Sequence, residues 1–308
     1  MRTFTVKDPA LLLEYLFKKL SDTKKTRVRQ CLKFGSVLVN DKVVTRFDHP
    51  LMSGDKVSVC SVKESQPVVK PQFGIEVMYE DDAIIVIRKP AGLLTISTEK
   101  IAIKTAFFAT NEYLCERDSD FLRLEQREQG RAFRKKKIFV VHRLDREASG
   151  LLVFAKTLEA KQQLQSHWSE VTKKYYAVVT GMPEKAKGTI TSFLRENKFL
   201  NVYSSKRPED AKLSTTRYQV LHSTEKYSLL EIKLETGRKH QIRVHLSEMG
   251  NPILGDERYG SKARFTGDGI ALHAYYLAFA HPASGQPMIF RSPLPQSFEE
   301  MLWEERKE

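Results

Sequence analysis

The first sixty residues carry the spacing of two short helices followed by a hairpin. Five apolar residues recur at helical intervals and predict the first helix: Leu12, Leu13, Leu16, Phe17 and Leu20. Asp22 or Thr23 can cap a second helix, and Gly35 is placed to end it. Two β-rich runs then flank Asn40-Asp41, which predicts a hairpin.

A polar segment with two prolines separates this unit from the rest of the chain. We predict a small domain at residues 1–62, a linker at 63–72 and a large domain at 73–308. In the large domain, strand-like runs predominate at 75–80, 83–89, 139–142, 151–156, 175–179, 217–221, 227–234 and 271–280. Thr157 is placed to cap a helix, and another helix is predicted at about 240–249. The pattern indicates a strand-rich α+β fold.

The net charge of the chain bears on the kind of partner that it binds. Of the 308 residues, 41% are apolar and 29% are charged, as in ordinary globular proteins. The net charge of +13 favours a polyanionic partner, nucleic acid before an acidic membrane, although a basic protein without such a partner would carry it too. About half of this excess lies in residues 1–72. Along the predicted second helix, Lys25, Arg29 and Lys33 form one basic stripe.

The cysteines and the absence of a long apolar run limit the cellular setting. Cys31, Cys60 and Cys115 lie far apart and form no CxxC pair, so neither a zinc site nor a disulfide framework is predicted. An odd number of cysteines fits a reducing cytosol. The N-terminus lacks the apolar run of a signal peptide, and no stretch reaches the roughly 18 to 20 apolar residues of a membrane span. We therefore predict a cytoplasmic protein without a membrane partner.

An aspartate between two predicted strands is the first candidate for chemistry. Asp145 lies in the run from Val141 to Lys156, with Arg143 and Arg146 on either side. Catalytic groups often lie in loops at strand ends, so Asp145 could be a nucleophile or a general base. It could also be a turn residue paired with an arginine, and the residues alone favour that structural role.

Two further segments carry polar groups suited to a site. A tyrosine in the strand-like run at 173–181 is usually a core residue, but its ring could also stack on a base. In the run at 234–247, His240 and Arg243 share one helix face, where an arginine near a helix start can hold an anion. His240 and His245 lie on different faces, and no HExxH motif accompanies them. No metal site is therefore predicted.

The first domain resembles the S-four RNA-binding domain. The match includes Thr26-Arg27-Val28, Gly35, Val37, Val39-Asn40, Lys42-Val43-Val44 and Gly54-Asp55. The resemblance implies that basic side chains of the second helix contact RNA, namely Lys25, Arg27, Arg29 and Lys33. A solvated basic helix on an unrelated small domain is the alternative.

The large domain resembles the RluA-type pseudouridine synthase family from about residue 75 to the C-terminus. Two runs carry the resemblance most specifically, HRLD…SGLL…AK at 142–156 and GRxHQIRxH at 237–245. Four shorter matches support it: KPxG at 89–92, GDxxYG at 255–260, LHA at 272–274 and FxHP at 279–282. The chain departs from the family pattern at Arg146-Glu147-Ala148 and matches weakly over 99–137, which bears mainly on the target RNA.

The resemblance implies a fold, a reaction and a site. The fold is a mixed, mostly antiparallel sheet flanked by helices, with a cleft across its middle. The reaction turns uridine in RNA into pseudouridine and needs no cofactor. Asp145 is the essential residue, Tyr175 rather than Tyr176 is the tyrosine of the site, and Arg243 is its arginine. We expect Arg243 to form a bidentate pair with Asp145 that keeps a buried carboxylate ionised.

The same resemblance implies that RNA contacts basic residues of the large domain. We expect four of them near the RNA backbone or the reacting uridine: Arg143, Arg146, Arg238 and His240. The expected substrate is structured RNA, large-subunit ribosomal RNA first and transfer RNA second, and the expected state is a monomer. A non-catalytic RNA-binding or ribosome-assembly protein on the same scaffold is the alternative. A metal-dependent nuclease is disfavoured because the sequence shows no carboxylate cluster.

Overall fold

The computed structural model describes residues 2–21, 23, 25–33, 37–40, 42–44, 46–59, 71–97, 103–117 and 138–303. The chain divides into two compact units, Met1–Val69 and Lys70–Glu308. Gly35, Cys60, most of the predicted linker and the basic run at 131–137 lie outside the described residues. The predicted domain boundaries therefore stay predictions, and each unit is described by itself.

The first unit combines a small sheet with two helices. The helices are α1 (Leu12–Lys19) and α2 (Lys25–Lys33). The strands are β1 (Arg2–Thr5), β2 (Ala10–Leu11), β3 (Val37–Val39), β4 (Lys42–Val43), β5 (Pro50–Leu51) and β6 (Lys56–Val59). Four strands form a sheet in the order β1-β6-β3-β4, and β2 pairs with β5. Both predicted helices and the predicted hairpin, which is β3 with β4, are confirmed.

On α2 two of the predicted RNA-binding side chains are exposed. The Lys25 Nζ lies 5.6 Å and the Arg29 guanidinium 5.3 Å from the centre of the Phe17 ring. The opposite face of the helix packs in the core of the unit. The side chains of Arg27 and Lys33 lie outside what the structure describes. RNA contact by this helix stays a prediction.

In the described part of the second unit, eleven strands form one sheet. They are β7 (Glu76–Glu80), β8 (Ile84–Lys89), β9 (Phe139–Val140), β10 (Ser149–Ala155), β11 (Thr172–Thr180), β12 (Lys187–Glu196), β13 (Val202–Ser205), β14 (Lys212–Ser223), β15 (Tyr227–Leu234), β16 (Leu272–Ala280) and β17 (Pro287–Arg291). The order is β13-β12-β14-β15-β11-β16-β10-β8-β7, with β17 on β16 and β9 on β10. Among the described strands of this sheet, only β10 and β16 pair in parallel. The expected mixed, mostly antiparallel sheet is confirmed.

Four helices accompany this sheet in the described part of the unit: α3 (Ala106–Arg117), α4 (Leu158–Ser166), α5 (Gln241–Glu248) and α6 (Gln296–Trp303). The predicted cap of α4 is confirmed, since Thr157 Oγ1 accepts a hydrogen bond from Ala160 N at 3.1 Å. The predicted helix at 240–249 begins one residue later, because His240 adopts a left-handed conformation. None of the helices in the described ranges is long and apolar enough to cross a membrane.

The parallel pairing in the middle of the sheet depends on a close approach of two backbones. Gly150 of β10 lies against Ala274 of β16. Its φ is 116°, and a Cβ atom there would lie 2.3 Å from the Ala274 carbonyl oxygen. Only glycine therefore allows the two strands to pair here. The loop at 141–148, which leads into β10, is anchored at this central position.

Candidate active site

A buried lysine and a threonine hold the loop that carries Asp145. Lys89 donates from Nζ to the Ala148 carbonyl at 2.7 Å and to two carbonyls in the turn after β8 at 2.9 and 2.8 Å. Burial lowers the pKa of Lys89 to about 7, although nearby carboxylates oppose the shift. Thr95 Oγ1 donates to the Leu144 carbonyl at 2.8 Å and accepts from the Leu144 amide at 3.1 Å. These contacts fix the backbone on both sides of Asp145.

A pocket lies between this loop, the sheet and α5. Its apolar wall comes from Leu144, Leu234 and Leu272 among others. Its charged, aromatic and imidazole side chains are Arg143, Asp145, Tyr175, Arg238, His240 and Arg243. The fold thus brings together Asp145, Tyr175 and Arg243 from three separate segments, the loop before β10, β11 and α5.

Arg243 is buried among three carboxylates and binds one of them much more closely than the others. Its Nε and Nη2 atoms donate to the two oxygens of Asp256, both at 2.8 Å. Its Nη1 atom lies 3.3 Å from Glu147 Oε2 and 3.6 Å from Asp145 Oδ2. The predicted bidentate pair with Asp145 is therefore wrong: Asp256 takes that position. Burial lowers the pKa of Arg243, but Asp256 and the other carboxylates outweigh it and raise the pKa above its usual value.

Asp145 lies at the pocket with about a quarter of its side chain exposed, 24%. Burial raises the pKa of its carboxyl above the usual range, and Arg243 opposes this shift. Glu147 and Asp256 add to the rise because like charges disfavour ionisation. The carboxyl therefore keeps its proton to a higher pH than an ordinary aspartate does.

The two neighbouring tyrosines of β11 lie in different surroundings. Tyr175 lines the pocket, half-buried, and packs against the hydrophobic cores on either side. Burial and the charge of Asp145 raise the pKa of its hydroxyl well above the usual value, so the hydroxyl stays protonated. The Tyr176 ring stacks on Tyr275 with 3.7 Å between centroids, and it does not line the pocket.

His240 is buried at the edge of the pocket, with a φ of 52° in the left-handed region. Its Nδ1 lies 2.7 Å from the Tyr259 hydroxyl, and its Nε2 lies 4.0 Å from Asp145 Oδ1. Burial lowers the pKa of His240 to about 4, and nearby cations, chiefly Arg243, add to this shift. The imidazole is therefore neutral at pH 7.

The three arginines of the large domain that were predicted to contact RNA are all exposed. Arg143 and Arg238 line the pocket. Arg146 does not line the pocket, and its Nε lies 3.7 Å from Glu147 Oε1. RNA contact by these three arginines stays a prediction.

Two other histidines of the matched motifs are packed and hydrogen-bonded. His142 Nε2 accepts from Val153 N at 3.1 Å, and burial lowers the pKa of His142 to about 3. His245 is bonded through Nδ1 to Thr216 and through Nε2 to Ser192, at 2.9 and 3.0 Å. Within the described ranges, no group of three or more His, Cys, Asp or Glu side chains could hold a metal ion.

The sequence model described as RNA pseudouridylate synthase matches residues 83–248, which include Asp145, Tyr175 and Arg243. The chain belongs to this family. Its members isomerise uridine in RNA to pseudouridine, so this pseudouridine synthase is an isomerase that acts on RNA.

Relatives and solved structures agree with this assignment over most of the chain. An uncharacterized RNA pseudouridine synthase of Bacillus subtilis, YlyB, is 31% identical, covering 96% of this chain and 93% of its own. Ribosomal large subunit pseudouridine synthase D of Neisseria meningitidis is 32% identical, and the alignment covers 93% of this chain and 76% of that protein. The structure of human RNA pseudouridylate synthase domain containing 4 aligns with a TM-score of 0.54 at 26% identity. The alignment covers 75% of this chain and 92% of the human one.

Several side chains that shape the site of this pseudouridine synthase were not predicted as part of it. They are Lys89, Thr95, Glu147, Asp256 and Tyr259. Lys89, Asp256 and Tyr259 lie within the shorter family matches, and this could have indicated them. Glu147 lies within the run at 142–156, where the chain departs from the family pattern, and this could have indicated it. Nothing in the sequence pattern distinguishes Thr95 from other polar loop residues.

Proposed function

We propose that this pseudouridine synthase modifies large-subunit ribosomal RNA and that Asp145 is its catalytic carboxylate. The observation that carries the second part is a partly exposed carboxylate held in a pocket beside a buried arginine, 3.6 Å away. The first part is supported by relatives named ribosomal large subunit pseudouridine synthase D in two genera, Neisseria and Vibrio, at about 30% identity. It is also supported by the basic first unit.

The reaction breaks the bond between ribose and uracil nitrogen and joins the same ribose carbon to a ring carbon. A carboxylate can attack the anomeric carbon, remove a sugar proton to give a glycal, or add to carbon six of the ring. Each route begins with ionised Asp145. Because burial raises the pKa of Asp145, the Arg243 charge is needed to favour the reactive form. Arg243 keeps that charge because Asp256 holds two of its nitrogens.

Tyr175 would contact the uracil ring through its face and would act as a hydrogen-bond donor. Its hydroxyl stays protonated because burial and Asp145 raise its pKa. A phenolate base is therefore not part of the proposed chemistry. The half-buried ring at the pocket wall is suited to pack on a flat base.

A uridine inside folded RNA must leave its stack to reach Asp145, which costs a few kcal/mol. Contacts of basic side chains with phosphates can offset that cost and make binding dependent on salt. We propose that Arg143, Arg146 and Arg238 supply such contacts near the pocket, with His240 beside them. We propose that Lys25, Arg27, Arg29 and Lys33 do so on a first domain at 1–62. The protein would act as a cytoplasmic monomer.

The test is pseudouridine mapping at single-nucleotide resolution in total RNA. Cells with the gene, cells without it, and cells rescued with Asp145→Asn or with Asp210→Asn are compared. Asp210 is a matched control. It is an exposed aspartate that does not line the pocket, and its carboxylate lies 3.1 Å from the Arg195 guanidinium. We expect marks in ribosomal RNA that disappear without the gene, return with Asp210→Asn and stay absent with Asp145→Asn. Marks restored by Asp145→Asn would refute its catalytic role, and lost marks only in transfer RNA would refute the proposed target.

Binding of RNA by the first unit has its own test. Lys25→Gln with Arg29→Gln removes two exposed positive charges from α2. Lys206→Gln with Arg207→Gln removes two exposed charges elsewhere and serves as the control. We expect only the first pair to lower the slope of log affinity against log salt, by roughly two units if both side chains contact phosphate. Equal slopes for both pairs would contradict the proposal.

A further inference from the structure

The two ring nitrogens of His240 lie in different surroundings. The ring is buried, with 8% of the side chain exposed. Nδ1 points away from the pocket to the Tyr259 hydroxyl at 2.7 Å. Nε2 points to the pocket side, where Asp145 Oδ1 lies 4.0 Å away, beyond hydrogen-bond distance. His240 is neutral at pH 7, so one nitrogen carries the only ring hydrogen.

The contacts of Tyr259 decide which nitrogen that is. The Tyr259 oxygen accepts a hydrogen bond from Val202 N at 3.3 Å. A backbone N–H only donates, so it cannot take the phenolic hydrogen. In the described part of the chain, the remaining partner of the hydroxyl is His240 Nδ1. When the hydroxyl donates to Nδ1, the ring hydrogen lies on Nε2.

This arrangement leaves a buried N–H donor directed at the pocket without an acceptor within hydrogen-bond distance among the described residues. Buried polar groups in proteins are almost always paired, so such a donor indicates a ligand. The left-handed backbone at His240, with φ of 52°, also indicates a ligand site, because strained non-glycine residues concentrate at binding and catalytic sites.

We propose that Tyr259 fixes the Nε2–H tautomer of His240 and that this N–H donates a hydrogen bond to an acceptor oxygen of the target uridine. The proposal rests on the proposed function, because it takes uridine as the occupant of the pocket. His240 touches the substrate in this scheme. Tyr259 is a positioning residue that acts through His240.

The tautomer is measured directly in the intact protein, without a substrate. Long-range nitrogen–proton spectra of protein labelled with ¹⁵N-histidine report which ring nitrogen is protonated, and His240→Gln assigns the resonance. We expect Nε2–H in the wild type and a shift toward a mixture of tautomers in Tyr259→Phe. Tyr203→Phe, an exposed tyrosine outside the pocket, should leave the resonance unchanged. An Nδ1–H form in the wild type would overturn the assignment.

Two substitutions at His240 separate the donor from the shape of the ring. His240→Gln places an amide N–H near the former Nε2, whereas His240→Asn places one near Nδ1. We expect His240→Gln to keep kcat within about tenfold of the wild type and His240→Asn to lose about a hundredfold, the usual effect of removing a donor that stabilises a reacting group. RNA from cells without the gene serves as substrate. Equal activities of the two variants would overturn the role of the donor.

A binding readout keeps this test separate from failure of the proposed function. On addition of a uridine-containing RNA hairpin, the His240 Nε2 proton should move downfield in the wild type and by less in Tyr259→Phe. An unmoved resonance in a complex that other resonances show to be formed would overturn the hydrogen bond. Absence of any pseudouridine formed by the wild type would instead refute the proposed function, and the tautomer result would stand.

Discussion

Replacing Asp256 with asparagine removes the charge that lies closest to Arg243. The carboxylate accepts from Nε and Nη2, each at 2.8 Å, and only 1% of Asp256 is exposed. Asparagine keeps the size and one acceptor oxygen, but its amide group faces a nitrogen that also donates. Arg243 is then left with Glu147 and Asp145, at 3.3 and 3.6 Å from Nη1.

The size of the effect follows from burial. Removing one partner of a buried ion pair costs about 3–5 kcal/mol, because the other charge is left buried. Two carboxylates still face Arg243, so we expect a value at the lower end, about 3 kcal/mol. The exposed pair of Arg195 with Asp210, at 3.1 Å, provides the comparison. Breaking such a surface pair costs about 0–1 kcal/mol.

The assay is urea unfolding of Asp256→Asn and Asp210→Asn at pH 7, followed by tryptophan fluorescence. The chain has two tryptophans, Trp168 and Trp303, and both lie in the second unit, so the signal reports on the unit that holds the site. We expect the two variants to differ by about 2 kcal/mol or more in free energy of unfolding. A loss in Asp256→Asn no greater than that in Asp210→Asn would refute the reasoning.

Three further predictions follow from local geometry. Glu147→Gln removes a charge that raises the pKa of Asp145, so the acid limb of the kcat/KM profile should move to lower pH with little change at neutral pH; a limb moved upward would contradict this. Gly150→Ala should lower the urea midpoint strongly or prevent folding, because its Cβ would lie 2.3 Å from Ala274 O; soluble protein of wild-type stability would be the opposite result. Thr157→Ala should cost about 1 kcal/mol in the same assay through loss of the helix cap, with Thr157→Ser as the control that keeps it.

The polarity pattern predicted the elements whose stabilising interactions are short in range. The hairpin β3–β4, the Thr157 cap and the strand at 227–234 lie where the spacing of residues predicts them. In the second unit, strands β12, β13 and β17 and helices α3 and α6 were not predicted. The strand β12 is rich in polar residues and half-exposed along its length, so little apolar alternation marks it. Its pairing with β14 depends on residues distant in the chain.

The sequence by itself determined the family and indicated Asp145 and Arg243 as candidates for the site, because the runs at 142–156 and 237–245 hold them in motifs specific enough to identify the family. Only the tertiary structure decided how these side chains are paired. Glu147 lies 96 positions from Arg243 in sequence, yet it contacts the same nitrogen that faces Asp145. Which carboxylate pairs with a buried charge depends on differences of a few tenths of an ångström in the distances between side chains of separate elements. Those distances are set by packing of the whole unit and not by any one segment of the chain.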